Sequence, residues 1–189
     1  MAMKVDIVKG IPFSAGMGGS SADASGVFFC ASKLFGISID EMMPLALKVG
    51  CDVPYMIFGG AARVQGVGEI ITPVEIQPLT LVIAQKTVGS STKDIYKKYD
   101  EAGGERGEGK KYFNALERGA VLLNPQIADA KADLLKHTQR VFMTGSGSAY
   151  VGVFDSDEKA QQCLERLQGY VFCKLAHTKP QGIEIIVQE

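Results

Sequence analysis

A stretch near one end of the chain is rich in glycine and serine and reads Gly16-Met17-Gly18-Gly19-Ser20-Ser21-Ala22. Glycine has no Cβ atom, so successive backbone N–H groups can converge on one point. The hydroxyls of Ser20 and Ser21 could reach a phosphate oxygen or a metal-bound oxygen, and Ser21 is our candidate for the metal. The stretch therefore predicts an anion-binding loop, and a tight turn without a ligand is the alternative interpretation.

The spacing excludes two common phosphate-binding motifs. A Walker A loop has Lys followed by Ser or Thr directly after its last glycine, and no such pair follows Gly19. A dinucleotide-binding fingerprint places its third glycine where this chain has Ser21. The surroundings still favour a ligand, because the apolar pattern predicts a strand over residues 4–11 and a helix over residues 23–35. A loop between them would lie at a helix N-terminus, where unpaired N–H groups attract anions.

Asp52 is the candidate for proton transfer. It stands directly before Val53-Pro54, where the sequence predicts the start of a short helix. An aspartate in that position caps the helix by default. Phosphoryl transfer to an alcohol also needs a group that accepts the hydroxyl proton and orients the oxygen, and a carboxylate can do this. Position alone leaves both interpretations of Asp52 open.

Two further segments could contact a nucleotide or a substrate. Thr92 stands at the predicted start of a helix, so it either caps that helix or contacts a ligand. Gly145-Ser146-Gly147 lies between two predicted strands, where it either approaches a phosphate or forms a plain β-turn. His137 and His177 stand far apart without clustered carboxylates, so the sequence predicts no histidine metal site.

The elements that position these residues follow from the hydrophobic periodicity. After the first predicted helix, a second covers residues 41–49, with Ser38 or Asp40 as its cap. A hairpin then joins two strands through Gly66-Val67-Gly68. The predicted hairpin strands cover residues 61–65 and 69–74. A domain boundary at residues 76–78 divides the chain into domains of residues 1–77 and 78–189.

The second domain shows the order β-α-α-β-β-α-β, which is typical of a ferredoxin-like unit. The predicted strands cover residues 79–84, 140–144, 149–154 and 171–177. One predicted helix is capped by Ser91 or Thr92 and runs through residues 96–99, and three more cover residues 112–121, 125–137 and 156–167. We also predict an exposed loop over residues 103–110 and a last strand over residues 182–188.

The composition is that of an ordinary globular protein. The chain has 189 residues, of which 46% are hydrophobic and 22% charged, and a net charge of −1. It lacks the basic excess typical of nucleic-acid binders, so we expect no nucleic-acid partner. No apolar run approaches the ~20 residues that cross a bilayer, so we expect no membrane span. The four cysteines form no C-x-x-C pair, which predicts buried, reduced thiols in a cytoplasmic protein.

Segments between about residues 4 and 154 resemble, in order, motifs of the GHMP kinases, a family that includes galactokinase, homoserine kinase and mevalonate kinase. They most resemble the branch that phosphorylates 4-diphosphocytidyl-2-C-methyl-D-erythritol. The segments are Ile11–Ser25, Gly50–Tyr55, Phe58–Ala62, Gly66–Glu69, Ser91–Tyr96, Asn114–Glu117 and Met143–Ser148. Each segment alone is unspecific, whereas the ordered set is specific.

The resemblance implies an α+β protein with the two-layer GHMP kinase fold: a truncated, ribosomal-S5-like N-terminal domain and a ferredoxin-like C-terminal domain. It implies transfer of the ATP γ-phosphate, with Mg²⁺, to the 2-hydroxyl of that small-molecule substrate, a step of non-mevalonate isoprenoid biosynthesis. Asp52 matches the family's catalytic base, and Gly16–Ala22 matches its ATP loop. Thr92 and Gly145–Gly147 match segments that we assign to the substrate.

The chain departs from the family pattern in two places. Ser20 and Ser21 stand one place earlier than in the usual Gly-Gly-Gly-Ser-Ser-Asp sequence of this branch. An N-terminal segment with an Asn, a Lys and an Asp-Gly-Tyr-His stretch has no counterpart here. We therefore expect weak turnover and self-association through an exposed N-terminal sheet edge. Another GHMP small-molecule kinase and a non-catalytic nucleotide-binding remnant are the alternatives.

Overall fold

The computed structural model describes residues 3–104, 107, 111–184 and 186. The chain divides into two compact units. The first unit is drawn from Met1–Gly10, Gly18–Pro78 and Lys179–Glu189, and the second from Ile11–Met17 and Leu79–Thr178. The glycine-rich stretch therefore passes from the second unit to the first between Met17 and Gly18. The division into functional domains of residues 1–77 and 78–189 stays a prediction.

The first unit contains helices and a hairpin. Its elements are α1 (Gly19–Phe35), α2 (Ile39–Val49), α3 (Val53–Phe58), β1 (Ala62–Gln65) and β2 (Ile70–Pro73). Helix α1 begins within the glycine-rich stretch, and it ends as predicted at Gly36, which has a left-handed φ of 67°. The predicted cap of α2 is confirmed, because Ser38 Oγ accepts a hydrogen bond from Asp40 N at 3.3 Å.

The predicted strand over residues 4–11 is wrong. Residues 3–10 belong to no helix or strand, and Val8 is 97% exposed. The alternation of Val5 and Ile7 with polar residues is a side-chain pattern that fits a strand. A strand also needs a partner strand that forms hydrogen bonds with its backbone N–H and C=O groups. No strand ladder among the described residues includes this segment.

The predicted hairpin is confirmed. Strands β1 and β2 pair antiparallel, with Gln65 opposite Ile70 at the turn. The carboxylate of Glu69 accepts a hydrogen bond from Val67 N at 2.7 Å. Gly68 has a φ of 113°, and a Cβ atom there would lie 2.0 Å from the carbonyl oxygen of Cys51. The turn therefore packs directly against the residue that precedes Asp52.

The second unit is a four-stranded antiparallel sheet covered by helices. Its strands are β3 (Thr80–Gln85), β4 (Val141–Met143), β5 (Tyr150–Phe154) and β6 (Phe172–His177). Their spatial order is β4-β5-β3-β6, so the predicted ferredoxin-like arrangement is confirmed. The helices are α4 (Thr92–Glu101), α5 (Glu117–Leu123), α6 (Ala128–Leu135) and α7 (Asp157–Arg166). One apolar cluster, which includes Val82, Leu134 and Tyr150, forms the core.

Several predicted boundaries in this unit move. The helix predicted over residues 112–121 begins only at Glu117, because the Asn114 side chain accepts a hydrogen bond from Leu116 N at 2.9 Å and forms a local turn. The helix predicted over residues 125–137 divides into a 3₁₀ turn, Pro125–Ile127, and α6.

Two predictions fall partly outside the described residues. In the predicted loop these are residues 105–106 and 108–110, and in the predicted last strand they are residues 185 and 187–188. Residues 182–184 and 186, which are described, form no strand.

The cysteines and the helices test two expectations from composition. All four cysteines are free, but Cys30 and Cys51 are exposed, so the expectation of buried thiols is wrong for these two. Both lie on the helical layer of the first unit, where fewer side chains are buried than in the sheet of the second. Burial raises the pKa of Cys163 to about 11.

Within the described part of the chain, no helix combines the length and the apolar character needed to cross a membrane.

Candidate active site

The N-terminus of α1 is formed by the glycine-rich stretch itself. Gly18 stands at the N-cap position with a φ of 65°, and no side chain caps the helix there. The first N–H groups of a helix have no partner within it, and the helix dipole adds partial positive charge. The first turn of α1 contains no acidic residue. The start of α1 therefore has neither a side-chain cap nor a nearby acidic residue in its first turn, and anion binding there stays a prediction.

Ser21 faces the connection between α2 and α3. A Cβ atom on Gly50 would lie 3.8 Å from Ser21 Oγ and 3.4 Å from a methyl group of Val53. Gly18 lies close to α3, because a Cβ atom on Gly18 would lie 2.5 Å from the terminal methyl of Met56 in that helix. The packing of α1 on α3 thus brings the helix N-terminus close to the segment that carries Asp52.

Asp52 precedes α3 without capping it. Its side chain makes no cap hydrogen bond, and its backbone is in the right-handed helical region with φ −86° and ψ −14°. The residue is exposed. Among the described residues, no donor is paired with its carboxylate. The capping interpretation therefore does not describe this side chain, and a solvent-facing carboxylate is available for other chemistry.

In the second unit, the residues directly before the glycine-rich stretch are hydrogen-bonded to the turn after β4. Ser148 N donates to the carbonyl oxygen of Ser14 at 3.0 Å, and Ala149 N donates to that of Ala15 at 3.2 Å. The hydroxyl of Thr144 also donates to Ala15 O, at 2.6 Å. These bonds bring together two segments that the sequence singled out separately.

Gly16 lies against this turn at backbone distance. A Cβ atom on Gly16 would lie 2.2 Å from Thr144 O and 2.6 Å from Gly147 N. In return, a Cβ atom on Gly145 would lie 2.6 Å from Gly16 O. Both glycines have positive φ values, 70° and 40°. Close packing therefore requires glycine at these positions, independently of any ligand.

Thr92 and Ser146 are brought together by the fold. Their hydroxyl oxygens lie 3.0 Å apart. The cap of α4 is Ser91, whose hydroxyl oxygen accepts from Asp94 N at 3.2 Å, so Thr92 is not needed for capping. The hydroxyl pair thus places two predicted substrate-binding residues at one point of the second unit.

Asn114 is a site residue to which sequence reasoning assigned no role. Its side-chain amide donates to Met143 O at 2.8 Å and to Gly145 O at 2.7 Å. It therefore holds both sides of the turn that begins after β4. The available signal was the Asn114–Glu117 segment, which stood among the family-like motifs without an assigned function.

No metal centre formed by protein side chains stands out. Within the described ranges, no group of three or more His, Cys, Asp or Glu side chains is arranged to hold a metal ion. His177 instead lies 2.8 Å from Asp157. The assignment of Ser21 to a metal stays a prediction.

Two family models match the chain. The model described as "GHMP kinases N terminal domain" matches residues 1–60. The model described as "GHMP kinases C terminal" matches residues 100–171. The first span contains the N-terminus of α1 and Asp52, and the second contains Asn114 and the turn after β4.

Two curated proteins illustrate the sequence similarity. The chain is 31% identical to the 4-diphosphocytidyl-2-C-methyl-D-erythritol kinase of Caldanaerobacter subterraneus subsp. tengcongensis, over 97% of this chain and 71% of that protein. It is 32% identical to the protein of the same name from Caldicellulosiruptor saccharolyticus, over 89% of this chain and 66% of that protein. The chain thus spans about two thirds of the length of these relatives.

Solved structures share the fold. A crystal structure of 4-(cytidine 5'-diphospho)-2C-methyl-D-erythritol kinase matches with a TM-score of 0.75 and 26% identity, over 89% of this chain and 68% of that one. Homoserine kinase from Cytophaga hutchinsonii matches with a TM-score of 0.68 and 17% identity, over 92% of this chain and 69% of that one. At 17% identity the second match shows the fold alone. The predicted α+β fold class is confirmed.

Proposed function

Because this chain belongs to the GHMP kinase family, we propose that it transfers the γ-phosphoryl group of ATP to the 2-hydroxyl of 4-diphosphocytidyl-2-C-methyl-D-erythritol. The family's members are ATP-dependent small-molecule kinases. The observation that carries the choice of acceptor is the similarity to relatives of that name, at 31% identity over 97% of this chain. We place the reaction in the cytoplasm, where exposed thiols such as Cys30 and Cys51 stay reduced.

The proposed roles follow the geometry of the first unit. The ATP phosphates bind the unpaired N–H groups at the start of α1, with the hydroxyls of Ser20 and Ser21 beside them. Mg²⁺, when bound, would be held mainly by phosphate and water oxygens near Ser21 and would neutralise phosphate charge. In the second unit, Thr92 and Gly145–Gly147 remain the predicted substrate-binding residues.

Asp52 is the proposed base. Its exposed carboxylate makes no cap hydrogen bond to α3. It accepts the proton of the substrate hydroxyl as that oxygen bonds to the γ-phosphorus. The bond between the γ-phosphorus and the oxygen bridging it to the β-phosphate breaks, and ADP leaves. A carboxylate already engaged as a helix cap would be a poorer acceptor, so the missing cap bond supports this role.

Asp52→Asn tests the proposal, because it keeps the shape of the side chain and removes the proton acceptor. We expect the rate of ADP release with the proposed acceptor to fall by about 10²- to 10⁴-fold while the Kd for ATP stays unchanged. A coupled ADP-release assay and calorimetric titration of ATP with Mg²⁺ measure the two quantities. Turnover by Asp52→Asn equal to that of the parent would exclude Asp52 as the base.

The same assay separates the alternatives. Turnover with homoserine or mevalonate, but not with the proposed acceptor, would identify a different GHMP kinase. ATP binding by the parent and by Asp52→Ala, with turnover by neither, would identify a non-catalytic remnant. A parent chain that does not bind ATP would overturn the phosphate-loop assignment.

We also propose that copies of this chain associate through the first unit. Apolar side chains are exposed on it, including Val8, Leu34, Leu45 and Val49. Strands β1 and β2 form a two-stranded sheet, so each has an edge that pairs with no other strand among the described residues. Exposed apolar surface and free strand edges both favour association.

A further inference from the structure

We infer that Gln85 is a positioning residue of the glycine-rich stretch: its buried amide holds the backbone that leads into the ATP loop. Gln85 is the last residue of β3 and is 0% exposed. The inference rests on the proposed binding of ATP by that loop. It adds a residue that lies outside the glycine-rich stretch and belongs to none of the family-like segments.

The hydrogen bonds of Gln85 have a fixed direction. Gln85 Nε2 lies 3.2 Å from the carbonyl oxygen of Phe13 and 3.1 Å from Ser148 Oγ. A carbonyl oxygen can only accept, so the nitrogen of the amide must face Phe13. Ser148, 1% exposed, accepts from Gln85 and donates its own hydrogen to Thr87 O at 2.6 Å. Phe13, Gln85, Thr87 and Ser148 therefore form one continuous hydrogen-bond chain inside the second unit.

The other end of the amide is left without a partner. Gln85 Oε1 is buried, and no donor among the described residues bonds to it. A buried acceptor without a hydrogen bond destabilises a fold, and an apolar side chain of similar length would avoid this. The neighbours Val82 and Ala84 are buried in the apolar core, so apolar residues are tolerated in this strand. What glutamine adds at this position is the donor that reaches Phe13.

The amide completes a series of contacts to successive carbonyl groups. Phe13 O is held by Gln85, Ser14 O by Ser148 N, and Ala15 O by Ala149 N. Ser14 has a φ of 50°, which is costly for a residue other than glycine. Such a conformation persists only where its surroundings fix it. Without the Gln85 donor, the carbonyl oxygen of Phe13 loses this hydrogen bond.

The test is substitution of Gln85 by methionine and by glutamate. Gln85→Met keeps the length of the side chain and removes both the donor and the orphan acceptor, so the protein is expected to fold. We expect a rise of about five- to tenfold in the Kd for ATP, the effect of one lost hydrogen bond. We also expect faster hydrogen exchange of the Ser148 and Ala149 amides, measured by mass spectrometry. Calorimetry of the full chain with ATP and Mg²⁺ measures the affinity.

Gln85→Glu supplies a readout that a purely structural role would not produce. The ionised carboxylate repels Phe13 O, whereas the protonated acid can donate to it. The ATP affinity of this variant, divided by that of the parent at each pH, should therefore rise as the pH falls from 8 to 5. Val82→Ala is the matched control, because it lowers the melting temperature through the core and should leave the Kd unchanged.

Failure of the inference and failure of the proposed function give different results. If the parent does not bind ATP, the proposed function is wrong. The hydrogen exchange of Gln85→Met then still tests whether the Gln85 amide holds the backbone at Phe13. Unchanged exchange at Ser148 and Ala149, or unchanged ATP affinity in a parent that binds ATP, overturns the role of Gln85. If Gln85→Met does not fold, the pH dependence of Gln85→Glu decides: a flat affinity ratio overturns the inference.

Discussion

At Gly16 the backbone of the glycine-rich stretch and the turn after β4 lie too close for any side chain. A Cβ atom would lie 2.2 Å from Thr144 O, which is a backbone atom and cannot rotate away. The positive φ of 70° adds a conformational cost for every residue other than glycine. Sequence reasoning assigned this glycine to phosphate binding alone, whereas packing within the second unit requires it as well.

Gly16→Ala should therefore destabilise the protein. We expect the free energy of unfolding in urea to fall by at least about 2 kcal/mol, from the left-handed conformation and the displaced turn together. Gly26→Ala is the matched control, because Gly26 lies inside α1 and a Cβ atom there would meet nothing within 4 Å. That variant should gain about 0.5–1 kcal/mol. Equal stability of the two variants would contradict the packing argument.

Residue types and local motifs predicted part of the candidate site. They could not predict hydrogen bonds between residues that are distant in the sequence. Local motifs predicted Asp52, Thr92 and Ser146 as candidate site residues, and the structure shows where each side chain lies. Their neighbours could not be read in advance: Gln85 and Phe13 are separated by 72 positions. In a strand pattern Gln85 reads as a solvent-facing residue, because a polar side chain next to buried Ala84 fits simple alternation. Only the tertiary fold brings Phe13 over it.

At the scale of elements, hydrophobic periodicity predicted the helices and strands of the second unit well, but it mispredicted the first residues of the chain. The strands of the sheet and α7 lie where the hydrophobic patterns predicted them, within one or two residues. Helix α1 begins earlier than predicted, at Gly19. Glycine and serine have low helix propensity, so the sequence pattern did not predict a helix over these residues. The residues before Gly10 show the opposite case: a strand pattern without a partner strand.

Asp133 connects α6 to the segment that leads into β6, through a hydrogen bond of 2.7 Å from the Tyr170 hydroxyl. A hydrogen bond from Lys136, which has the larger effect, and one from Tyr170 hold the pKa of Asp133 below its ordinary value of 3.8. The ionised carboxylate therefore stabilises the folded state above pH 3.8, and this contribution is lost as the pH falls through the folded pKa.

Asp133→Asn should be less stable than the parent at neutral pH. The difference in unfolding free energy should shrink as the pH falls below 3.8 and vanish below the folded pKa. Denaturant unfolding followed by circular dichroism between neutral and strongly acidic pH measures it. Asp129→Asn is a suitable control on the same helix, because Asp129 is exposed there. A difference that stays constant with pH would show that ionisation of Asp133 is not involved.

At the scale of the whole molecule, the proposed self-association follows from the uneven burial of the two units. The second unit buries a large apolar cluster, whereas the first leaves Leu34 67% exposed on α1. Periodicity identifies the apolar face of a helix, but it does not show whether a partner covers that face.

Sedimentation velocity at micromolar concentration should show species larger than a monomer of 20.2 kDa. Leu34→Glu together with Leu45→Glu should shift the distribution toward monomer, because charge on this surface opposes burial against a second copy. Lys97→Glu, at an exposed position of α4 in the second unit, is the control for added negative charge and should leave the distribution unchanged. A parent chain that sediments as a monomer throughout this range would refute the proposal.

The membership of Ile11–Met17 in the second unit also sets an order of events during synthesis. The groups that bind the carbonyls of these residues, on Gln85 and Ser148, are synthesised after them: Ser14 and Ser148 are 134 positions apart. At a translation rate of roughly 5–20 residues per second, the nascent loop waits on the order of ten seconds for its partners. The segment that leads into α1 is therefore synthesised well before the residues that hold its carbonyl groups.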